Sequence, residues 1–173
     1  QSNLIRTAVQ QCIMEYPEGG AGSPDGGTHS YADLNRDGVI DSNDNPNLPY
    51  PLNPSSALNP DAVAGIAATV GTDYARDLSC VGAPASAALM FKGASNQGRF
   101  LPPPPNGFSE WTYANNANGV YIKTVAPNDP AALDALHRIR NKFNTCQAEI
   151  NFGGCGTNCL VIWLLRVTAA ACL

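Results

Sequence analysis

Apolar residues in the first fifteen positions recur at helical period. Leu4, Ile5, Ala8, Val9, Cys12 and Ile13 line one stripe, which predicts an amphipathic helix over residues 2–15. Tyr16-Pro17 ends it, because a residue before proline is pushed out of the helical region. From 18 to 58 the periodicity disappears into Gly, Pro, Asn, Asp and Ser, and so long a loop in a compact domain needs an organiser. Asn59-Pro60-Asp61 then carries a helix-start signature, and Val63, Ile66, Ala67 and Val70 predict a short helix closing at Gly71. Two hairpins follow. The first is Phe108–Tyr113, a turn through Asn115–Gly119, and Val120–Val125; the second is Cys146–Phe152, a turn at Gly153–Asn158, and Cys159–Val167. Aromatic and β-branched residues dominate these four segments. Between the hairpins, Asp129-Pro130 opens a helix with Leu133, Leu136, Ile139 and Phe143 on one face. Pro102–Pro105 is a short polyproline stretch, read as a rigid connector. The predicted architecture is α+β: one domain over 1–173, with the N-terminal helix packed on a four-stranded antiparallel sheet and a long insertion at 18–58.

Composition sharpens this picture. Of 173 residues only 14% are charged, against roughly a quarter in an average soluble domain, and 16 Gly and 14 Pro favour turns and long connections. The net charge is −4 and no basic run exceeds Arg138, Arg140 and Lys142, so a nucleic-acid partner is not predicted. Six cysteines (Cys12, Cys80, Cys146, Cys155, Cys159 and Cys172) read as a disulfide framework formed in an oxidising, extracellular compartment. A zinc site is the rival, but Cys155 and Cys159 have no second close Cys/His pair to complete a tetrahedral set. The chain starts at Gln1-Ser2-Asn3 and runs straight into a helical pattern, which looks like a mature or truncated product whose targeting segment is missing.

The insertion contains the most specific motif. Counting Asp33 as position 1 of a twelve-residue loop, oxygen side chains fall at 1 (Asp33), 3 (Asn35), 5 (Asp37), 9 (Asp41) and 12 (Asp44). Gly38 stands at position 6, where the chain must turn sharply, and the Val39 carbonyl would serve position 7. Calcium needs about six to eight oxygens, and alternate positions of a tight loop supply them. Without a cation the four carboxylates would repel one another. The loop therefore predicts Ca2+ in a structural role, ordering the insertion; the rival is an acidic surface turn. Loops with Asp at position 12 resemble those of dockerin modules, but here there is one copy and Asn45-Pro46 forbids an immediate helix. Only the loop is borrowed from that likeness, not partner binding.

Catalytic signatures are weak. The two histidines, His29 and His137, read as solvent-facing residues, and no nucleophile elbow, zinc-protease motif or phosphate loop occurs. Cys155-Gly-Thr-Asn-Cys159 has one residue too many for a Cys-x-x-Cys redox pair. Glu110 and Glu149 could sit on neighbouring strands as a minor hydrolase alternative. The reading is not an enzyme.

With the order helix, long loop, hairpin, helix, hairpin, the chain resembles the head domain of a type IV pilin or pseudopilin. The residues that carry the likeness are Ser2-Asn3-Leu4-Ile5-Arg6, Gln10-Gln11-Cys12-Ile13 and Tyr16-Pro17, similar to the exposed half of a pilin's first helix. Leu89-Met90-Phe91-Lys92-Gly93 and Gly107-Phe108-Ser109-Glu110-Trp111-Thr112-Tyr113 add to it. The apolar half-helix of that family is not in this sequence. The resemblance implies a structural subunit of an extracellular pilus or secretion pseudopilus, with other pilin subunits as partners and the inner membrane as a way-station before assembly. It further implies that Cys12 pairs with Cys80, and it favours Cys155–Cys159 and Cys146–Cys172 among the 15 connectivities open to six cysteines. The competing reading is a secreted, calcium-stabilised binding or adhesin module, in which exposed Trp111, Tyr113 and Tyr121 would stack on sugar.

Overall fold

A computed structural model describes residues 1–17, 47, 49–55, 73–80, 89–91, 99–152, 155, 156 and 158–167. Among them are two α-helices and a four-stranded antiparallel sheet, an α+β arrangement. Helix α1 spans Ser2–Glu15. Ile5, Ala8, Val9 and Cys12 are buried, whereas Leu4 is 45% exposed and Ile13 only half-buried. The buried stripe is therefore narrower than predicted: Leu4 sits about 100° round the helix from Ile5, on its flank. The Tyr16 amide donates back to the Cys12 carbonyl at 2.9 Å, closing the last turn before Pro17.

Strands β1 (Thr112–Asn116) and β2 (Gly119–Val125) form the first hairpin, turning through Ala117-Asn118. Gly119 takes φ +129°, and a Cβ there would lie 2.3 Å from the Leu165 carbonyl oxygen, so the turn needs glycine at that place. The structure corrects the predicted hairpin. The strand starts at Thr112, not Phe108, and runs through Asn115 and Asn116, whose residue types predict a turn. These asparagines stay in the strand because tertiary partners take up their side chains, and such partners override local propensity.

Helix α2 spans Pro130–Arg140, capped by the Asp129 carboxylate, which accepts from the Ala132 amide at 3.0 Å. The second hairpin is shorter than predicted: β3 is Ala148–Ile150 and β4 is Cys159–Arg166. The sheet order is β1-β2-β4-β3. β4 is thus a central strand, and its near-continuous apolar run suits burial on both faces. β2 and β3 both run antiparallel to β4, so α2 must cross one face of the sheet to join them.

Both helices lie on that face. Ile5, Val9 and Cys12 of α1, Ala132 and Leu136 of α2, and Tyr113, Val120, Ile122, Leu160 and Ile162 of the sheet belong to one buried cluster with Leu78 and Phe91. Each large side chain removed from water here contributes about 1.5–3 kcal/mol. The opposite face carries a smaller cluster: Cys159, Val161 and Trp163, with Tyr121, Phe152 and Cys155 packed against it. The rings of Tyr121 and Phe152 meet Trp163 edge-on, each at 4.9 Å between centroids. Arg166 lies over Trp163 at 5.0 Å and pairs with Glu149 at 2.5 Å.

Candidate functional site

The predicted calcium ligands Asp33, Asn35, Asp37, Val39, Asp41 and Asp44, together with His29, the helix at 59–71 and Cys172, lie outside the described residues. What the structure does describe is the downstream end of the insertion and the helix that precedes it.

Residues 47 and 49–55 dock on the sheet through asparagines. The Asn47 side-chain amide donates to Asn115 Oδ1 at 2.8 Å and to the Asn116 carbonyl at 2.7 Å. Asn115 in turn donates to the Pro51 carbonyl at 2.8 Å, which also accepts from the Tyr113 hydroxyl at 2.8 Å. Asn53 accepts from the Asn115 amide at 2.7 Å, and its own amide donates to the Asn115 carbonyl at 3.4 Å. One side-chain amide thereby does the work of a neighbouring strand. Nearer the start of β1, Tyr113 N donates to the Asp73 carbonyl at 2.7 Å and Ala75 N to the Trp111 carbonyl at 2.8 Å. Ser55 fastens the two segments together by donating to Asp73 Oδ1 from its amide (2.9 Å) and hydroxyl (2.6 Å). The outer edge of β1 is thus occupied, which removes a template for strand addition. Burial pushes the Tyr113 hydroxyl well above its ordinary value, with Tyr50 adding to the effect, so it stays a hydrogen-bond donor at neutral pH.

Sequence reasoning missed this latch because residues 47–55 carry no hydrophobic period. The signal was present only as Asn and Pro in a loop opposite an Asn-rich strand end.

Helix α1 is held at its other end by covalent chemistry. Cys12, on the buried stripe, is bonded to Cys80 across a sequence separation of 68. Cys155 and Cys159 are bonded across a separation of 4, at the edge of the smaller cluster. Cys146 is disulfide-bonded as well.

Asn3, Leu4, Thr7, Gln10 and Met14 are all exposed on the outward side of α1, with Met14 at 73%, and Glu15 is exposed in the last turn, on the side of Leu4. The strip from Asn3 through Thr7 and Gln10 to Met14 carries no charge, and Glu15 lies at its margin; charged residues normally gather on a solvent-facing helical face.

The other sequence candidates are dispersed. Trp111 is 9% exposed and Tyr113 1%, and Tyr121 packs on Trp163, so these three do not form an open aromatic platform for sugar stacking. Glu110 pairs with Arg76 at 2.5 Å while Glu149 pairs with Arg166, on different parts of the sheet. His137 is exposed on α2. Next to the Arg76–Glu110 pair, Asp77 has one carboxylate oxygen buried without a partner among the described residues. Burial raises its pKa; Arg76 opposes that shift and Glu110 adds to it. No family model matches this chain, and neither a curated protein nor a solved structure matches it.

Proposed function

We propose that this chain is the globular head of a type IV pilin-like subunit. It would build an extracellular filament or secretion pseudopilus, with Ca2+ at Asp33–Asp44 and the disulfides compensating for few charges and long loops. The observation that carries the reading is α1. Its apolar stripe packs on the sheet of its own domain, while the outward strip of Asn3, Leu4, Thr7, Gln10 and Met14 is uncharged, with the exposed Glu15 at its margin. Such a strip suits contact with neighbouring helices inside a filament, where a charge would have to be desolvated. The covered edge of β1 also fits a subunit that must assemble through helices without aggregating through strands.

Partners are then other subunits, in a homopolymer or a minor-pilin complex, with passage through the inner membrane before assembly. No nucleic-acid partner is proposed. Calcium has a structural role: it orders the insertion whose downstream end Asn47 fastens to β1. The coding sequence upstream of Gln1 tests the proposal. A short basic leader, a glycine at the cleavage point and about 20 apolar residues support it. An ordinary signal peptide with its own cleavage site would move the chain to the class of secreted binding modules.

A further inference from the structure

A groove of about 920 Å³ opens between the start of α1, the polyproline stretch and the end of α2. That size lies in the range of small-molecule sites. Its apolar walls include Phe108, Ile139 and Phe143. Several polar groups along the groove are already engaged. Trp111 Nε1 donates to Gln1 Oε1 at 3.1 Å, the Gln1 side-chain amide donates to the Pro102 and Pro103 carbonyls, and Thr124 donates to the Ser109 carbonyl at 2.8 Å.

The charged side chains in the lining are Arg6 and Lys142, with no carboxylate among the described lining residues. Neither forms an ion pair among the described residues, although the Arg6 guanidinium lies over the Phe143 ring at 5.6 Å. On a chain of net charge −4 this is a locally cationic, apolar recess.

We propose that the groove binds a fatty-acid-like amphiphile, one hydrocarbon chain ending in a carboxylate. The head sits between Arg6 and Lys142, where a guanidinium matches a carboxylate in a bidentate fork, and the chain lies along Phe108, Ile139 and Phe143. A peptide fits less well. Each of its residues brings an N–H and a C=O that would lose water, and on the wall Gln1, Trp111 and Thr124 are already engaged with other partners. A hydrocarbon chain needs no such partners.

The test is calorimetric titration of the oxidised domain with dodecanoate, kept below its micelle concentration. Saturable one-to-one binding is expected, weakened about tenfold or more by K142E and by R6E, each about 1.4 kcal/mol per factor of ten. Unchanged thermal midpoints would show that both variants fold; Lys142 is exposed, so K142E keeps the test open if R6E does not fold. Dodecylammonium, with the same chain and the opposite head, should bind at least about tenfold more weakly. No saturable binding, equal binding of dodecylammonium, or binding undiminished in K142E overturns the proposal. So does displacement of dodecanoate by an Asp/Glu-rich octapeptide, which would assign the groove to an acidic peptide. A dimer that excludes dodecanoate would assign it to a second copy of the chain.

Discussion

Replacing Cys12 and Cys80 together by alanine should be far more damaging than replacing Cys155 and Cys159. A disulfide stabilises mainly by shrinking the unfolded ensemble, and the effect grows with the logarithm of the closed loop. The 68-residue separation of Cys12 and Cys80 gives about 4.4 kcal/mol. The separation of 4 between Cys155 and Cys159 gives about 2 kcal/mol. Lost packing widens the gap, because Cys12 and Cys80 both belong to the main buried cluster while Cys155 is only partly buried. For a domain of this size each kcal/mol moves the thermal midpoint by roughly 2–4 °C. C12A/C80A should therefore fall by roughly 10–15 °C and C155A/C159A by about half as much. Guanidinium unfolding of the two double variants under oxidising conditions measures both values directly. Equal losses, or a larger loss in C155A/C159A, would refute the idea that closing the large ring is what ties α1 to the domain.

Three further outcomes follow from the same geometry. Asn115→Ala removes the donor to Pro51 and the acceptor for Asn47, and should cost about 1–3 kcal/mol in denaturant unfolding; a cost near zero would mean that the latch contributes nothing. Asp77 has a raised pKa in the folded state, so the native protein holds that proton more tightly. Its share of stability is present below the unfolded value near 4 and is lost as pH rises through the folded value. The stability gained by Asp77→Asn over wild type should accordingly grow between about pH 4 and neutrality, and a pH-independent difference in urea unfolding would contradict this. Excess EGTA should lower the thermal midpoint by several degrees relative to calcium at a hundred times its dissociation constant, a difference of about 2.7 kcal/mol. Magnesium should not restore it, and no shift would leave Asp33–Asp44 as an acidic turn.

Much of the fold was legible because its elements are locally encoded. The stripe of α1, the Asp129-Pro130 start of α2 and the β-branched runs of β2 and β4 each declare a period in a short window. Strand order was not legible. Pairing β2 with β4 joins segments some 40 residues apart, and no local pattern encodes which strand of each hairpin lies at the centre of the sheet. Boundaries failed where tertiary partners decide them. Asn115 and Asn116 look like turn residues until Asn47, Pro51 and Asn53 supply what a neighbouring strand would. Leu4 counted as core on hydrophobicity alone, yet it flanks the stripe and points outward with Met14. Those two exposed apolar residues belong to the proposed assembly surface, so the departure from the simple pattern is itself informative.

The most direct test places a charge on that surface. Thr7 is exposed in the middle of the uncharged strip, and glutamate is a good helix former there. The full gene product, wild type or T7E, would be expressed in its own host, and sheared surface filaments separated from cells and probed for this chain. The filament account predicts wild-type protein in the sheared fraction, and T7E absent from it although the purified T7E domain keeps its thermal midpoint. Wild-type protein found only as free soluble domain, or T7E assembling as well as wild type, would contradict it.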